Sequence, residues 1–166
     1  MKTKPQNLRI GLGFDAHRFA SGRKLVIGGE TIDHPMGLAG HSDADVLIHA
    51  IIDSLLGAAN LGDIGRLFPD SDSRYKDICS IELLKSVGQL LIEKKIEIIN
   101  IDTVLICEKP KIKDYIDKMK NNISDALNGL PVERIGIKGK TTEKLGFTGR
   151  EEGIAAEAVA LVSITG

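Results

Sequence analysis

The order of strand-like and helix-like segments constrains the fold of this chain more than any other feature. An apolar run over Leu8–Phe14 is typical of a strand, and Arg23–Ile32 is typical of a hairpin that turns at Gly28 and Gly29. Helical periodicity follows over Asp43–Ala59. The later segments alternate in the same way, with helices predicted over Cys79–Lys95 and Lys113–Leu127 and strands over Ile96–Cys107 and Pro131–Lys138.

The last segment, Glu152–Ile164, fits either a helix or a strand. Its alanines and glutamates favour a helix, whereas the apolar alternation at its end favours a strand. No repeat, linker or low-complexity tract divides the 166 residues, which are enough for one domain with a real core. We therefore expect residues 1–166 to form a single α+β domain, a mixed α/β sandwich in which helices cover a sheet.

Composition excludes several classes of partner. The net charge is −1 and aromatic residues make up 4% of the chain, so neither nucleic acid nor an anionic membrane surface is an expected partner. The basic N-terminus lacks the apolar stretch of a secretory signal, and no run of about 18 apolar residues predicts a transmembrane helix. Cys79 and Cys107 lie in apolar segments without CxxC spacing, which predicts reduced core residues in a cytoplasmic protein.

Residues 14–19, FDAHRF, place Asp15 and His17 two positions apart after the first apolar run. Alternate residues of a strand point to the same side, so both side chains can aim at one point. On the first long helix, Asp45, His49 and Asp53 share one face through their i, i+4, i+8 spacing. Asp15, His17 and His49 together supply one oxygen and two nitrogens, the ligand set of an open zinc site. The alternative is a polar strand end with a structural histidine nearby.

The start of that helix, GHSDAD, offers a second feature. Ser42 stands three residues before Asp45, which predicts a capping box with Ser42 as the N-cap. A helix N-terminus also attracts anions, and His41 and Ser42 would lie beside it. Asp43 and Asp45 would repel a phosphate unless a cation were present. His34, in a turn-like stretch before a proline, is expected at the surface.

Two phosphate-binding motifs are matched only in part. GLGFDA, residues 11–16, fits a dinucleotide fingerprint, but no helix follows it as that motif requires. GIKGKTT, residues 136–142, ends like a P-loop but lacks the first glycine. The GIKGKTT stretch still predicts a turn after a strand, in which backbone N–H groups, hydroxyls and Lys140 can hold a phosphate. A polar turn or a KH-type loop is the alternative.

Four stretches together resemble the 2-C-methyl-D-erythritol 2,4-cyclodiphosphate synthase family: GFDAHRF, AGHSDADVLIHAIIDSLLGAANLGDIGRLFPDSD, EKPKI and TTEKLGFTGREEGIAAEAVAL. The resemblance runs from Arg9 to about Ile164. It implies a phosphorus–oxygen lyase of non-mevalonate isoprenoid synthesis, which converts 4-diphosphocytidyl-2-C-methyl-D-erythritol 2-phosphate into the cyclic diphosphate and releases CMP. It also implies a homotrimer with active sites between the subunits.

The resemblance assigns roles to individual residues. Asp15, His17 and His49 correspond to zinc ligands, and His41 and Thr141 correspond to the catalytic pair. A Mg²⁺ or Mn²⁺ ion would be held mainly by the diphosphate of the substrate. The positions that match substrate contacts are Asp15, His17, His41, Ser42, Asp63, Ile64, Gly65, Phe68, Pro69, Asp70, Ser71, Asp72, Cys107, Glu108, Lys109, Pro110, Lys111, Ile112, Lys113, Lys140, Thr141, Thr142, Glu143, Phe147 and Arg150.

The same resemblance places Phe14, Arg150 and Glu157 along a central channel of the trimer, which an isoprenoid diphosphate could occupy. Two segments depart from the usual family pattern. Gly139 and Lys140 replace the small residues and threonine that are more usual there, and EKPKIK is unusually charged, so nucleotide affinity stays open. Two other functions also fit the residues: a metal-dependent hydrolase of nucleotide diphosphates, and a non-catalytic trimer that binds isoprenoid diphosphates.

Overall fold

A computed structural model describes residues 7–69, 71–75 and 77–164. In chain order the strands are β1 (Asn7–Ala20), β2 (Leu25–Ile27), β3 (Glu30–Ile32), β4 (Gly37–Leu38), β5 (Ile96–Ile106), β6 (Ile135–Lys140) and β7 (Gly153–Ile164). The helices are α1 (Val46–Ala59), α2 (Ile64–Leu67), α3 (Ser80–Glu93), α4 (Ile116–Ala126) and α5 (Gly146–Gly149). Short 3₁₀ turns lie at Ser73–Tyr75, Lys113–Tyr115 and Val132–Arg134.

One mixed sheet has the strand order β4-β1-β7-β5-β6, and β2 pairs with β3 in a separate hairpin. β7 lies antiparallel to both β1 and β5, whereas β6 lies parallel to β5. α1 packs on β1 and β7, and α3 packs on α1. The α+β class, the sheet covered by helices and the hairpin at Gly28 and Gly29 are therefore confirmed.

The structure corrects several boundaries. β1 does not end after the apolar run but continues through Asp15 and His17, paired with β7 as far as Arg18. The strand predicted from Pro131 begins only at Ile135, because the preceding three residues form a 3₁₀ turn. The glycine-rich segment after α1, for which the sequence pattern indicated no element, contains the short helix α2.

The ambiguous last segment is the strand β7, and its alanines have a packing role. Ala156, Ala158 and Ala160 are buried on the face of the sheet that α1 covers. Ala158 and Ala160 pair directly with Gly13 and Gly11 of β1. Small side chains at these positions let the helix lie close to the sheet, so packing outweighs the helical propensity of alanine.

The glycines of β1 set that close approach. A Cβ atom added to Gly13 would lie 1.9 Å from the carbonyl oxygen of Ala50, and one added to Gly11 would lie 2.0 Å from that of Ser54. The α1 backbone therefore rests on the β1 backbone with no side chain between them. The GLGFDA stretch, which partly matches a dinucleotide fingerprint, belongs to a strand whose glycines pack directly against a helix.

The opposite face of β1 carries large apolar side chains that no described residue of the chain covers. Leu8, Ile10, Leu12 and Phe14 are between 49% and 71% exposed. They alternate with the residues beneath α1, as the period of a strand requires. The two faces of β1 therefore differ: one is packed against a helix, and the other is an open apolar surface.

The cysteines behave differently from each other. Cys107 is buried as predicted, and burial raises the pKa of its thiol to about 11. The prediction for Cys79 is wrong: this residue is exposed, because it precedes α3 and lies outside the packed helix face. Within residues 7–69, 71–75 and 77–164, no helix has the length and apolarity needed to cross a membrane.

The predicted capping box is also wrong. The N-cap of α1 is Asp45, whose carboxylate accepts the backbone N–H of Ile48 at 3.1 Å. The same carboxylate accepts N–H groups from both glycines of the β2–β3 turn, at 2.9 and 2.7 Å. Ser42 instead accepts the N–H of Ala44 at 3.1 Å. One buried carboxylate therefore begins α1 and ties the hairpin to it.

We expect Gly13→Ala to destabilise the fold by about 3 kcal/mol or more, because the added methyl overlaps backbone atoms of α1 that cannot move independently. The measurement is urea unfolding at equilibrium. Gly57→Ala is the matched control, since a Cβ atom there meets nothing within 4 Å. It replaces a glycine in a helix and should stabilise the protein by about 0.5–1 kcal/mol. Equal stability of Gly13→Ala and the wild type would contradict the close contact.

Candidate metal centre

Asp15, His17 and His49 meet where β1 passes beneath α1. Asp15 Oδ2 lies 2.9 Å from His17 Nε2 and 3.0 Å from His49 Nδ1. The two imidazole nitrogens lie 3.3 Å apart. The strand supplies two ligands because residues 15 and 17 share a face, and the helix supplies the third because it rests on the glycines just before them. The structure thus brings together the three residues that the sequence proposed as a metal site.

The protons of the two imidazoles can be assigned from their other contacts. His17 Nδ1 lies 2.7 Å from the carbonyl oxygen of Ala39, which only accepts, so Nδ1 carries the proton and Nε2 does not. His49 Nε2 lies 3.0 Å from Ser80 Oγ, which leaves its Nδ1 unprotonated when Nε2 donates. Two nitrogen lone pairs and a carboxylate then face one another. Such a donor set repels itself unless a cation lies among its members, so it fits a metal ion.

Electrostatics agree with a cation at this point. Burial by itself raises the pKa of Asp15, but positive charge on His17 and His49, with the hydrogen bonds that their protonated rings donate, outweighs burial and holds the pKa well below its usual range; a cation between the three groups would act in the same direction. Burial lowers the pKa of His17, but the hydrogen bond to Asp15 outweighs that effect and raises the pKa. Both shifts have one cause, which is a carboxylate that stays ionised beside groups able to hold positive charge.

The metal ligands open into a cavity of about 260 Å³. His41 lines it, and within the described part of the chain its buried Nε2 has no hydrogen-bond partner. A buried polar atom without a partner is costly, so a ligand that accepts or donates there is favoured. Apart from the metal ligands, the cavity is lined by Gly40, His41, Ser42, Ile64, Gly65, Phe68, Tyr75, Ile78 and Leu83.

The predicted substrate contacts in the EKPKIK segment and in the turn after β6 lie elsewhere in the chain. A second cavity, of about 210 Å³, is lined by Cys107, Pro110, Lys111, Ile112, Lys113, Ile116, Gly139, Lys140 and Thr141. Lys140 stands in one row of the sheet with Ile106, Ala155 and Ala16, one residue from each strand. Three strand spacings of about 4.8 Å put about 14 Å between β1 and β6 along this row. One chain therefore holds the two cavities at the same end of the sheet but near opposite edges.

The loop after β6 is held by two carboxylates, Glu108 from the segment after β5 and Glu143 from the loop itself. Glu108 Oε1 accepts the N–H groups of Thr142 and Lys144 at 3.2 and 3.1 Å. The Thr141 hydroxyl donates to Glu143 Oε1 at 2.7 Å. The Thr142 hydroxyl donates to a carbonyl oxygen within the same loop. Several groups that the sequence assigned to phosphate are thus occupied in the free chain, and Thr142 serves mainly to shape the loop.

The remaining predicted contacts are dispersed. Asp63 accepts the N–H of Arg66 and begins α2. Asp72 pairs with Arg74 at 2.6 Å, and Lys109 lies 3.3 Å from Glu151. Asp70 lies outside the described residues.

Arg150 pairs with Glu152 within the chain, and the placement of Arg150 and Glu157 along a channel of the trimer stays a prediction. The Arg150 guanidinium donates to Glu152 at 2.8 Å, two residues away. Glu157 is exposed and lies beside Phe14 on the open face of the sheet.

Two polar residues near the site carried no signal in the sequence. Ser80 contacts His49 from the first residue of α3, where a serine is typical of a helix start. Arg23 donates to the carbonyl oxygens of Gly40 and Ser42, at 3.1 and 2.5 Å, and so holds the segment that carries His41. Only the folded chain brings such distant positions together.

A helix-covered mixed sheet that brings one carboxylate and two imidazoles together beside a cavity defines a protein with a candidate metal site next to a ligand pocket. The model of the YgbB family matches residues 8–163, nearly the whole chain. The chain therefore belongs to this family, that of the 2-C-methyl-D-erythritol 2,4-cyclodiphosphate synthases.

Known proteins are similar to this chain over nearly all of its length. The 2-C-methyl-D-erythritol 2,4-cyclodiphosphate synthase of Caldicellulosiruptor bescii is 56% identical over 154 residues, which are 93% of this chain and 98% of that protein. A structure of bifunctional IspDF from Campylobacter jejuni superposes with a TM-score of 0.92 and 44% identity over 98% of this chain, which spans 44% of that protein. The CDP complex of IspF from Plasmodium falciparum has a TM-score of 0.83 at 34% identity, covering 96% of this chain and 97% of that one.

We expect His49→Ala to abolish tight binding of one divalent ion per chain, because two ligands remain where three converge. Competition with a chromophoric zinc chelator measures the affinity, and circular dichroism checks that the fold persists. His34→Ala is the control: His34 is also half-buried, and it stacks on Phe19 away from the cluster. A full complement of metal in His49→Ala would refute the assignment.

Proposed function

We propose that this chain converts 4-diphosphocytidyl-2-C-methyl-D-erythritol 2-phosphate into 2-C-methyl-D-erythritol 2,4-cyclodiphosphate and releases CMP, within non-mevalonate isoprenoid synthesis. The observation that carries the proposal is the convergence of Asp15, His17 and His49 beside a cavity, in a chain 56% identical to a synthase of that name. The CDP bound to the Plasmodium falciparum relative supports a cytidine nucleotide as the ligand class. A cytoplasmic location for the reaction stays a prediction.

The proposed reaction is an intramolecular phosphoryl transfer. An oxygen of the 2-phosphate attacks the β-phosphorus of the substrate's own diphosphate, a new phosphorus–oxygen bond forms, and CMP departs with the electrons of the broken bond. The attacking phosphate is already anionic near neutral pH, so no serine, cysteine or general base is required. The tasks left to the protein are to position the two phosphorus centres and to neutralise charge.

The metal site and its cavity would hold the diphosphate. Asp15, His17 and His49 would bind zinc and leave a position open for a phosphate oxygen. When bound, zinc on these ligands and a magnesium or manganese ion on the substrate's diphosphate supply charge neutralisation and polarise the phosphoryl oxygens. The unpartnered Nε2 of His41 is available to hydrogen-bond a phosphate oxygen in the same cavity.

The second cavity would hold the nucleotide. Its wall of Cys107, Pro110 and Ile112 is apolar enough for a pyrimidine ring, and Lys140 carries charge toward the phosphates. Glu108 holds the adjoining loop through two N–H groups and thereby fixes the backbone from which the Thr141 side chain extends. When substrate binds and displaces water from this loop, the Thr141 hydroxyl would donate to a phosphate oxygen in place of Glu143.

We propose further that three copies of the chain share these sites. A single substrate must reach both cavities, and the strands that carry them lie about 14 Å apart in one chain. The open apolar face of β1, with Leu8, Ile10, Leu12 and Phe14 half or more exposed, supports burial against further copies. Occupation of a central channel beside Phe14, Arg150 and Glu157 by an isoprenoid diphosphate stays a prediction.

A turnover experiment in ¹⁸O-labelled water tests the reaction. The purified chain, zinc and magnesium are incubated with the diphosphocytidyl substrate, and the products are followed by mass spectrometry. We expect CMP and the cyclic diphosphate, both without solvent oxygen. A linear product that contains ¹⁸O would indicate a hydrolase, and no turnover with tight binding of an isoprenoid diphosphate would indicate a non-catalytic trimer.

We expect Thr141→Val to lower kcat by about tenfold or more, with KM and zinc content little changed, because the hydroxyl acts where charge develops in the transition state. Steady-state kinetics provide the measurement. Lys140→Ala should instead mainly raise KM, since a flexible point charge acts on the ground and transition states alike. If Thr141→Val raised KM and left kcat unchanged, Thr141 would bind substrate only, and His41 would carry the transition-state role.

Mixing two impaired variants tests the shared site. His49→Ala lacks the metal half and Thr141→Val lacks the loop half, so a site between one subunit of each type can be complete. After unfolding and refolding together in equal amounts, the mixture should recover about a quarter of wild-type activity, because one interface in four combines two intact halves. A mixture no more active than its separate parts, or an active monomer in light scattering, would contradict the arrangement.

A further inference from the structure

A chain of hydrogen bonds lies behind His49, on the side of its ring away from Asp15. His49 Nε2 lies 3.0 Å from the hydroxyl oxygen of Ser80. That hydroxyl also contacts a carboxylate oxygen of Asp43, and the backbone N–H of Ser80 donates to the other oxygen at 3.1 Å. Ser80 is completely buried. The proposed reaction uses neither Ser80 nor Asp43.

One arrangement of protons gives each atom of this chain a suitable partner and leaves His49 Nδ1 free to bind a metal. The ionised carboxylate of Asp43 can only accept, so the Ser80 hydroxyl donates to it. The lone pair of Ser80 Oγ then accepts the proton on His49 Nε2. As a result His49 Nδ1 carries no proton, and this is the atom that faces Asp15 and His17.

Asp43 is itself held in place by the backbone. Its carboxylate accepts the N–H of Asp45 at 3.2 Å as well as that of Ser80, and its own N–H donates to Ile78. Ser42 Oγ lies farther away, 3.2 Å from His49 Nε2, and also receives the N–H of Ala44; it can accept the same proton or, in the other tautomer, donate to Nε2. The contacts of Ser80 are shorter and end on a charged group, so Ser80 dominates.

We propose that Ser80 and Asp43 are positioning residues for the metal centre, which fix the tautomer and the ring orientation in which His49 offers Nδ1 to the metal. This inference deepens the proposed function and rests on its metal site. It links the third ligand on α1 to the first residue of α3, so the packing of these two helices also sets the geometry of the site.

The first test measures zinc affinity on the intact protein by competition with a chromophoric chelator, without substrate. We expect Ser80→Ala to weaken binding by about 10- to 100-fold, as loss of a partner behind a metal-bound imidazole does. Ser80→Thr retains the hydroxyl and should recover most of the affinity. Ser54→Ala is the matched control, because Ser54 is equally buried but donates to a carbonyl of its own helix. Wild-type affinity in Ser80→Ala, or an equal loss in Ser54→Ala, would overturn the proposal.

A double-mutant cycle separates the relay from the simple charge of Asp43. If Asp43 acts through Ser80, Asp43→Asn should weaken zinc binding in the wild type and have almost no further effect in Ser80→Ala. Additive losses would overturn the relay, because Asp43 would then act through its field alone.

The tautomer gives a readout that does not depend on the variants folding. In the ¹⁵N spectrum of the zinc-free wild type, where no metal imposes the tautomer, we expect neutral His49 to carry its proton on Nε2. A proton on Nδ1 would overturn the proposal. Because none of these measurements involves turnover, absence of the cyclic product would refute the proposed reaction and leave the relay standing. Conversely, failure of the relay leaves the proposed reaction untouched.

Discussion

The close contact between α1 and β1 is the interaction on which the rest of this structure depends. Two glycines on the strand and the alanines opposite them on β7 let the helix backbone rest on the sheet. Two residues after Gly13, the same face of β1 presents Asp15 and then His17, and the nearest turn of the helix presents His49. The metal site is therefore a direct result of packing, because any side chain large enough to separate helix and strand would also separate the ligands.

The sequence predicted this site better than it predicted the contact that creates it. Period-two spacing was sufficient to pair Asp15 with His17, and helical periodicity was sufficient to place His49 on a helix. The role of Gly11 and Gly13 could not be predicted, because the sequence of one chain does not distinguish a glycine that packs against a helix from one that approaches a phosphate. Glu152–Ile164 stayed ambiguous for the same reason, since alanines chosen for tight packing carry a helical propensity that packing overrides. Ser80 was invisible because its partner lies 31 positions away.

The sheet also keeps the two cavities of one chain apart. Strands within a sheet keep a nearly constant separation, so groups on β1 and β6 cannot approach each other without breaking the pairing of β7 and β5 between them. In the proposed trimer, a ligand takes one group from each of two copies. The exposed side chains of β1, from Leu8 to Phe14, belong to the same sheet, so the apolar surface that would favour association and the separation of the two cavities have one structural origin.

The acidic residues at the start of α1 show how charge can be misjudged from sequence. Asp43 and Asp45 stand where a phosphate was expected, and their repulsion suggested a metal. In the structure both turn away from the cavity. Asp45 accepts three backbone N–H groups, and Asp43 accepts two N–H groups and the hydroxyl of Ser80. Burial, and then the charge of Asp43, raise the pKa of Asp45 to about 6, so backbone donors are what make the buried carboxylates tolerable.

The need for a cation thus has a different source from the one that the acidic residues suggested. It comes from the other side of His49, where two imidazole lone pairs and the carboxylate of Asp15 converge. Asp43 contributes to that convergence only indirectly, through the serine that directs a lone pair of His49 toward the metal position. Charge count alone would have assigned the repulsion to the wrong aspartates. The directions of the hydrogen bonds assign it to the three atoms that a metal ion would satisfy.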